Sequence, residues 1–600
     1  MCCRLTSFAQ SVVLAFLLTT ASFVATAECQ TPKEVDAARW LPETTVLYVT
    51  IQNLGDFWKT FENAAVVKES LTLPDVKKLF ESAQYRQAMI GRKFIENMFG
   101  QELPDLLQDL TAKPAVLAVD KSREVVLMFS PEPETYDRVE KSLEGFAAMT
   151  GISGENKGGA LEAVKYKGVT AYKMDKVRIA FYGGRIVVAS GNALGKDVLD
   201  RALGEATSSL IDAKWFAESK KLAAQLGQTS PTVSAIVDLK SIRSFSKSEI
   251  PVGTDVAQEL FFGGIVDVMR SADFAALVAS LDGNGLDVQA AAPMADKPDE
   301  KRAYFFGEGK IRPSPAAADL PNRLLSVRWH RDFGNFWKMV PQIITDENVL
   351  AGIAKSESEI ATVFGGMTTV SDMFDFIGPE LELVACQPKH DLNSSEAVPD
   401  VKLPAFGIVG TLRNSERAER VMRLAFQQFV GIANLNAGAG KYPPMELMSE
   451  KVGAAKYITA SYIQMDNMMD KATDSPSSNL YANFSPTLAI SGERFALSSD
   501  RALAEQLLDG SKKEASSTSG RVNNTALEVW PRELAAIGRL NREALIAQRM
   551  LESGRSRQRA EGEIDIILTI ADCIQSVGLE LTTDNGSLIL HARADLPGKE

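Results

Sequence analysis

An almost unbroken apolar run, Val46 to Ile51, gives way at Asn53-Leu54-Gly55-Asp56 to Phe57, Trp58 and Phe61 at helical spacing. This pattern predicts a strand covered on both faces and then a helix capped by Asp56. Two short runs, Ala115 to Val119 and Val125 to Phe129, flank Asp120-Lys121-Ser122-Arg123-Glu124 and predict paired strands. Tyr136, Val139, Leu143, Phe146 and Ala147 fall on one face at a 3.6-residue period, which predicts a helix. Ile179 to Tyr182 and Arg185 to Val188 flank Gly183-Gly184, the turn that a two-residue hairpin demands. A helix over about 194–203, a strand over 233–239 and two strands around Asp282-Gly283-Asn284-Gly285 complete the series. The order strand, helix, strand, strand, helix, strand matches a ferredoxin-like unit.

The series occurs twice. Leu41 to Lys59 lies over Leu320 to Lys338 without a gap, matching Leu41/Leu320, Pro42/Pro321, Gly55/Gly334, Phe57/Phe336, Trp58/Trp337 and Lys59/Lys338. The hairpin returns as Leu488 to Ser491, Gly492-Glu493 and Arg494 to Leu497, with Arg185 matched by Arg494. A helix carrying Ala418, Val421, Met422, Ala425, Phe426, Phe429 and Val430 on one stripe takes the place of the first copy's helix. The proline- and alanine-rich stretch before Leu320 reads as a joint. The expected organisation is therefore a first repeat domain at 28–307, a linker at 308–318 and a second repeat domain at 319–600. The expected fold class is α+β: two homologous tandem domains, each with antiparallel or mixed sheets covered by helices and containing ferredoxin-like β-α-β-β-α-β units. The second copy adds polar insertions, Gln387 to Pro404 and about 464–486. Its opening strand puts Leu325, Val327 and Trp329 on one face and Ser326, Arg328 and His330 on the other, which predicts one solvated face.

The N-terminus changes the picture of location. One charge (Arg4), an apolar run from Ser11 to Ala25 and small residues at Ala25 and Ala27 have the layout of a secretory signal peptide over 1–27. The run is short for a membrane span. Removing it takes away one arginine and no acid, moving the net charge from −12 to −13. An acidic chain argues against a nucleic-acid partner, whose phosphates need clustered Lys and Arg. Cys29, Cys386 and Cys573 are odd in number and far apart, so they form no disulfide framework. The apolar context of Cys386 and Cys573 predicts buried thiols.

Recognisable chemistry is sparse. The three histidines, His330, His390 and His591, lie in different elements of the second copy, and no HExxH or CxxC spacing is present. No metal or cofactor is expected. Ser244-Phe245-Ser246-Lys247 fits SxxK but lacks a KTG partner, and Gly438-Ala439-Gly440-Lys441 departs from a phosphate loop at Tyr442. Four residues remain as candidates for binding. Arg328 and His330 lie on the polar face of the second opening strand, and Arg185 and Arg494 are the repeated pair beside the hairpin turn. A cross-strand ion pair is the structural expectation for the two arginines, and a core anchor for Trp58 and Trp337.

The opening LPETTVLYVTIQNLGDFWKTF and the later FYGGRIVVASGNALGKDVLDRAL resemble a family of exported bacterial proteins of planctomycete type for which no activity is defined. The resemblance implies export and the fold of the repeat, and it carries no catalytic residue. The expected function is a non-enzymatic binding or structural protein of the periplasm or cell surface. Its partner would be an unknown protein or small-molecule ligand. The alternative is a secreted hydrolase using carboxylate or serine chemistry.

Overall fold

A computed structural model describes residues 36–72, 80, 82–152, 161–227, 231–245, 255–282, 285–295, 299–306, 320–363, 369–387, 399, 401–437, 443–463, 480–510 and 522–596. The expected signal peptide, the linker at 308–318, Cys29, His390, Ser246-Lys247, the loop Gly438 to Lys441 and most of both insertions lie outside the described residues.

The chain is α+β and divides into two compact units. The first takes the chain up to residue 249, residues 271–293 and the chain from 591 onward; the second takes 250–270 and 294–590. This division differs from a single cut at the expected linker. Helix Val256–Ser271 and residues 299–306, which precede that linker, carry side chains that pack with the second unit.

The first unit's strands are β1 (Thr45–Ile51), β2 (Ala115–Asp120), β3 (Val125–Phe129), β4 (Glu162–Tyr166), β5 (Val169–Met174), β6 (Val177–Tyr182), β7 (Arg185–Ala189), β8 (Val233–Asp238), β9 (Phe274–Asp282) and β10 (Gly285–Pro293). Their pairings give the order β4-β5-β6-β7-β3-β2-β1-β8-β9-β10, every neighbour antiparallel. The later strands are β11 (Arg323–His330), β12 (Ile377–Cys386), β13 (Ala405–Leu412), β14 (Met445–Val452), β15 (Ala455–Tyr462), β16 (Thr487–Ser491), β17 (Arg494–Ser498), β18 (Val522–Val529), β19 (Ser576–Asp584) and β20 (Ser587–Asp595). They follow the same order, β14-β15-β16-β17-β13-β12-β11-β18-β19-β20. The ferredoxin-like expectation is corrected by these pairings. That unit needs a parallel crossover, whereas β1, β2 and β3 meander as antiparallel neighbours, as do β11, β12 and β13.

Helices cover the sheets. Helix Pro133–Ile152 packs Val139 and Leu143 on Phe129, Tyr172, Phe181 and Ile186. Helix Ser415–Ala437 packs Ala418, Phe426 and Val430 on Ile458, Leu488, Ile490 and Phe495. The opposite face of β13, β16 and β17 is covered by Leu503, Ala504, Leu507 and Leu508 of helix Arg501–Gly510. The hairpin glycines Gly183 and Gly184 both have positive φ, 57° and 73°, as the turn requires.

The repeated Gly-x-Phe-Trp-Lys stretch has a packing explanation. A Cβ on Gly55 would meet Pro104 O and the Cβ and Cα of Gln108, in helix Leu103–Thr111. A Cβ on Gly334 would meet Asp375 Oδ1, in helix Val370–Phe376. Two residues on, Phe57 and Phe336 are the buried anchors, each 2% exposed. Lys59 then reaches Asp105 at 2.7 Å, and Lys338 reaches Asp375 at 2.9 Å. Trp58 and Trp337 are only half-buried; Trp337 Nε1 donates to Glu357 Oε1 at 2.7 Å. The first helix also starts earlier than expected. Asn53, in the left-handed region at φ 54°, precedes Leu54, and Asp56 sits inside the first turn. Cys386 is a buried free thiol whose pKa burial pushes up to about 11, and Cys573 is a half-buried free thiol.

Candidate functional site

The polar side of β11 is one place where the two copies diverge in sequence, and strand register decides what it meets. Ser326 stands opposite Val384 and Glu528, Arg328 opposite Glu382 and Ala526, and His330 opposite Glu380. Directly opposed residues in antiparallel strands share a face, so these charges converge. Ser326 Oγ donates to Glu382 Oε1 at 2.9 Å, and His330 Nδ1 lies 4.0 Å from Glu380 Oε1. The expectation of a solvated face is corrected. Ser326 is 1% exposed and Glu382 8%, because the charges face one another across the strands. Burial and the neighbouring Arg331 charge hold the His330 pKa below its ordinary value. Counted across the strands from the repeated hairpin, Tyr48 takes the place of Ser326 and Thr50 that of Arg328, one residue off the ungapped sequence match. Tyr48 there stands opposite Ala118 and Ile236 and meets Phe216 edge-on at 5.1 Å. The first unit is uncharged where the second is charged.

Arg331, next in sequence, is fully buried without a carboxylate inside ion-pair distance among the described residues. Its guanidinium donates to the carbonyls of Leu260 (3.2 Å), His330 (2.9 Å) and Asn524 (3.0 Å), and to Thr525 Oγ1 (2.8 Å). It also lies 3.8 Å over the Phe305 ring. Burial pushes its pKa down to about 9, against which the carbonyl dipoles hold the charge. Beside it, Arg302 and Glu259 form a buried ion pair at 3.0 Å, and Tyr304 Oη donates to the Glu259 carbonyl at 2.6 Å. This cluster fastens helix Val256–Ser271 and residues 299–306 to the end of β11. It is a structural fastening, and nothing in the sequence marks Arg331, which simply follows an ordinary strand.

Neither hairpin arginine has an acid directly across the turn. Arg185 is opposite Tyr182 and Arg494 is opposite Ser491. Arg185 stacks on Trp40 at 4.6 Å, with Asp36 in its field. Burial pushes the Arg494 pKa down while the Glu382 carboxylate opposes that shift, so Arg494 belongs electrostatically to the charged face of the second unit. Register thus brings Arg328, His330 and Arg494 around Glu380 and Glu382; Arg185 has a separate, aromatic setting.

An open recess lies elsewhere. Helix Ser415–Ala437 is pinned near its start by Glu419, whose two oxygens lie 2.7 and 2.9 Å from Lys456 Nζ. It is pinned near its end by Asn434, which bonds both Met445 N and Met445 O at 2.7 Å. Beside the first pin is a cavity of about 230 Å³ floored by Ile458, Leu488 and Ile490. Around its floor the second unit carries smaller residues than the first. Tyr136 donates its N–H to the Glu132 carbonyl that starts its helix, and Ala418 does the same with Asn414, so the two positions correspond. Register likewise matches Tyr172 with Ile458 and Phe181 with Ile490. In the first unit those three rings pack edge to face, Tyr136–Phe181 at 5.4 Å and Tyr172–Phe181 at 6.1 Å. In the second unit the phenyl moves to Phe495, one strand further from β14. The sequence held the signal in the aligned copies, as Tyr, Tyr, Phe against Ala, Ile, Ile.

Among the described residues no group of His, Cys, Asp and Glu is arranged to hold a metal. No helix there is long and apolar enough to cross a membrane. No protein-family model and no curated protein matches the chain. Two solved structures of TP0453, crystal forms III and I, align with TM-scores of 0.24 at 10% and 11% identity, covering 45% of this chain and 84% and 82% of theirs. Similarity that low carries no argument about function.

Proposed function

We propose that this is an exported, duplicated, non-enzymatic binding protein of the periplasm or cell surface, whose ligand occupies the recess beside Glu419 and Lys456. The observation that carries this reading is a recess of about 230 Å³ floored by Ile458, Leu488 and Ile490, where the positions of Ile458 and Ile490 hold the packed rings of Tyr172 and Phe181 in the first unit. The common order of ten antiparallel strands supports duplication, with one copy kept as scaffold and the other adapted. Export rests on the composition of residues 1–27, and mass spectrometry of the secreted chain should find Glu28 at its N-terminus.

The hydrolase alternative has one contact in its favour, the Ser326–Glu382 hydrogen bond. With Ser326 1% and Glu382 8% exposed, a substrate would have to open the sheet to reach them. A thermal-shift screen of the mature chain against a small-molecule pool tests the binding reading. Ligands should raise the unfolding temperature of the wild type but not of Ser449→Trp, which fills the recess. Hydrolytic turnover lost in Ser326→Ala, with no ligand sensitive to Ser449→Trp, overturns it.

A further inference from the structure

Resting on that reading, we infer that the recess takes a small amphipath with an anionic head: a carboxylate or phosphate borne on a short hydrocarbon group. Among the described residues, two of the three cations on the rim have no carboxylate partner. Lys451 stands directly opposite Lys456 across β14 and β15, an arrangement of like charges that costs stability unless something answers it. Glu419 answers Lys456 with both oxygens. Lys451 has no hydrogen-bond or ion-pair partner among the described residues, and neither does Arg423, which lines the same recess from one turn further along the helix. The other rim carboxylate, Glu450, faces Arg501 at 3.2 Å and is not spent on Lys451.

On a chain whose net charge is −12, two cations unanswered among the described residues, over a floor of Ile458, Leu488 and Ile490, specify both parts of the ligand. The anionic head meets Arg423 and Lys451, where a guanidinium can offer a paired fork to two oxygens. The hydrocarbon part covers the floor, which is already dry at 7%, 2% and 5% exposure. The volume lies below the roughly 300–1,000 Å³ of drug-sized sites, so the hydrocarbon part is short.

Isothermal titration calorimetry of the full mature chain with octanoate, octyl phosphate and octanol tests this. Both anions should bind at least about tenfold tighter than octanol, since two charge contacts are each worth up to ~1 kcal/mol at a solvated rim. Their binding should weaken as salt rises, while that of octanol should not. Arg423→Gln and Lys451→Gln should each weaken the anions by about twofold to fivefold and leave octanol unchanged. Whichever head group binds tighter distinguishes a fatty-acid source from a phosphate-ester source. Anion binding untouched in the double variant overturns the inference. So does octanol binding equal to that of the anions; if Ser449→Trp abolishes it, the recess stands as a binding site with different chemistry. No binding by any of the three, alongside a negative ligand screen, overturns both readings.

Discussion

Gly55 and Gly334 occupy the same place in a repeated motif, yet the structure assigns them different costs on substitution by alanine. At Gly55 the added methyl would meet the Pro104 carbonyl, Gln108 Cβ at 2.5 Å and Gln108 Cα at 2.8 Å. Two of those atoms are backbone, so helix Leu103–Thr111 must move away from helix Leu54–Asn63. Overpacking of this kind costs about 1–3 kcal/mol, and the helical preference of alanine over glycine returns up to ~1 kcal/mol. The net is a destabilisation of about 2 kcal/mol. At Gly334 the close atom is Asp375 Oδ1, the end of a side chain, with Asp375 Cα at an ordinary 3.4 Å. Rotating Asp375 away loses its 2.9 Å ion pair with Lys338. Those side chains are 55% and 41% exposed, so the pair is worth about 0–1 kcal/mol and the helical gain cancels it. Hydrogen exchange resolved by peptide, on the full mature chain, reads each unit separately. Gly55→Ala should raise the opening rate of β1 and β2 by about thirtyfold, and Gly334→Ala should change β11 and β12 by less than about threefold. Equal effects, or a larger one at Gly334, would refute close helix approach as the reason for the motif's glycine.

Three further outcomes follow from buried polar groups. Arg331→Lys should lower stability by about 2–3 kcal/mol in urea unfolding, because one ammonium cannot satisfy the acceptors now shared by the guanidinium; an unchanged midpoint would deny the fastening role. Burial and the Arg331 charge hold the folded pKa of His330 below 6.5, so the unfolded chain takes up the proton first as pH falls. The histidine's share of stability is therefore complete above that value and shrinks as pH drops through it, and His330→Gln should flatten the stability profile between about pH 7 and 5. A profile of unchanged slope would count against it. In native protein, iodoacetamide should label Cys573 before Cys386, whose thiol is buried and held protonated, and mass spectrometry showing the reverse order would contradict that burial.

Much of the fold was legible because it is written locally. Gly183-Gly184 fixes a hairpin, a 3.6-residue stripe fixes helix Pro133–Ile152, and Leu-Pro with Gly-x-Phe-Trp-Lys marks both beginnings. What depends on neighbours in space was not. Ser326, Arg328 and His330 look like a wet face until register sets Glu382, Glu380 and Glu528 opposite them. Alternation of polar and apolar residues cannot tell water from a facing carboxylate. The sheet order was hidden for a similar reason: a helical connection between β1 and β2 suits a parallel crossover as well as the antiparallel pairing that forms. The recess at Ile458 was spread over a helix and two hairpins, each substitution conservative alone. Helix Val256–Ser271 gave no sign in composition that Arg331 would accept it into the second unit.

The membership of that helix has a consequence for the order in which the molecule can be completed. A chain made from its N-terminus produces residues 250–270 before any of the strands they join, and reaches the first unit's closing segment, from 591, only at the end. The unit that begins first therefore finishes last. Every product truncated ahead of residue 591 lacks part of its opening unit as well as its tail, so one proteolytic check at the C-terminus would inspect both. A split near residue 308, where the sequence invites one, leaves each piece holding a segment that belongs to the other.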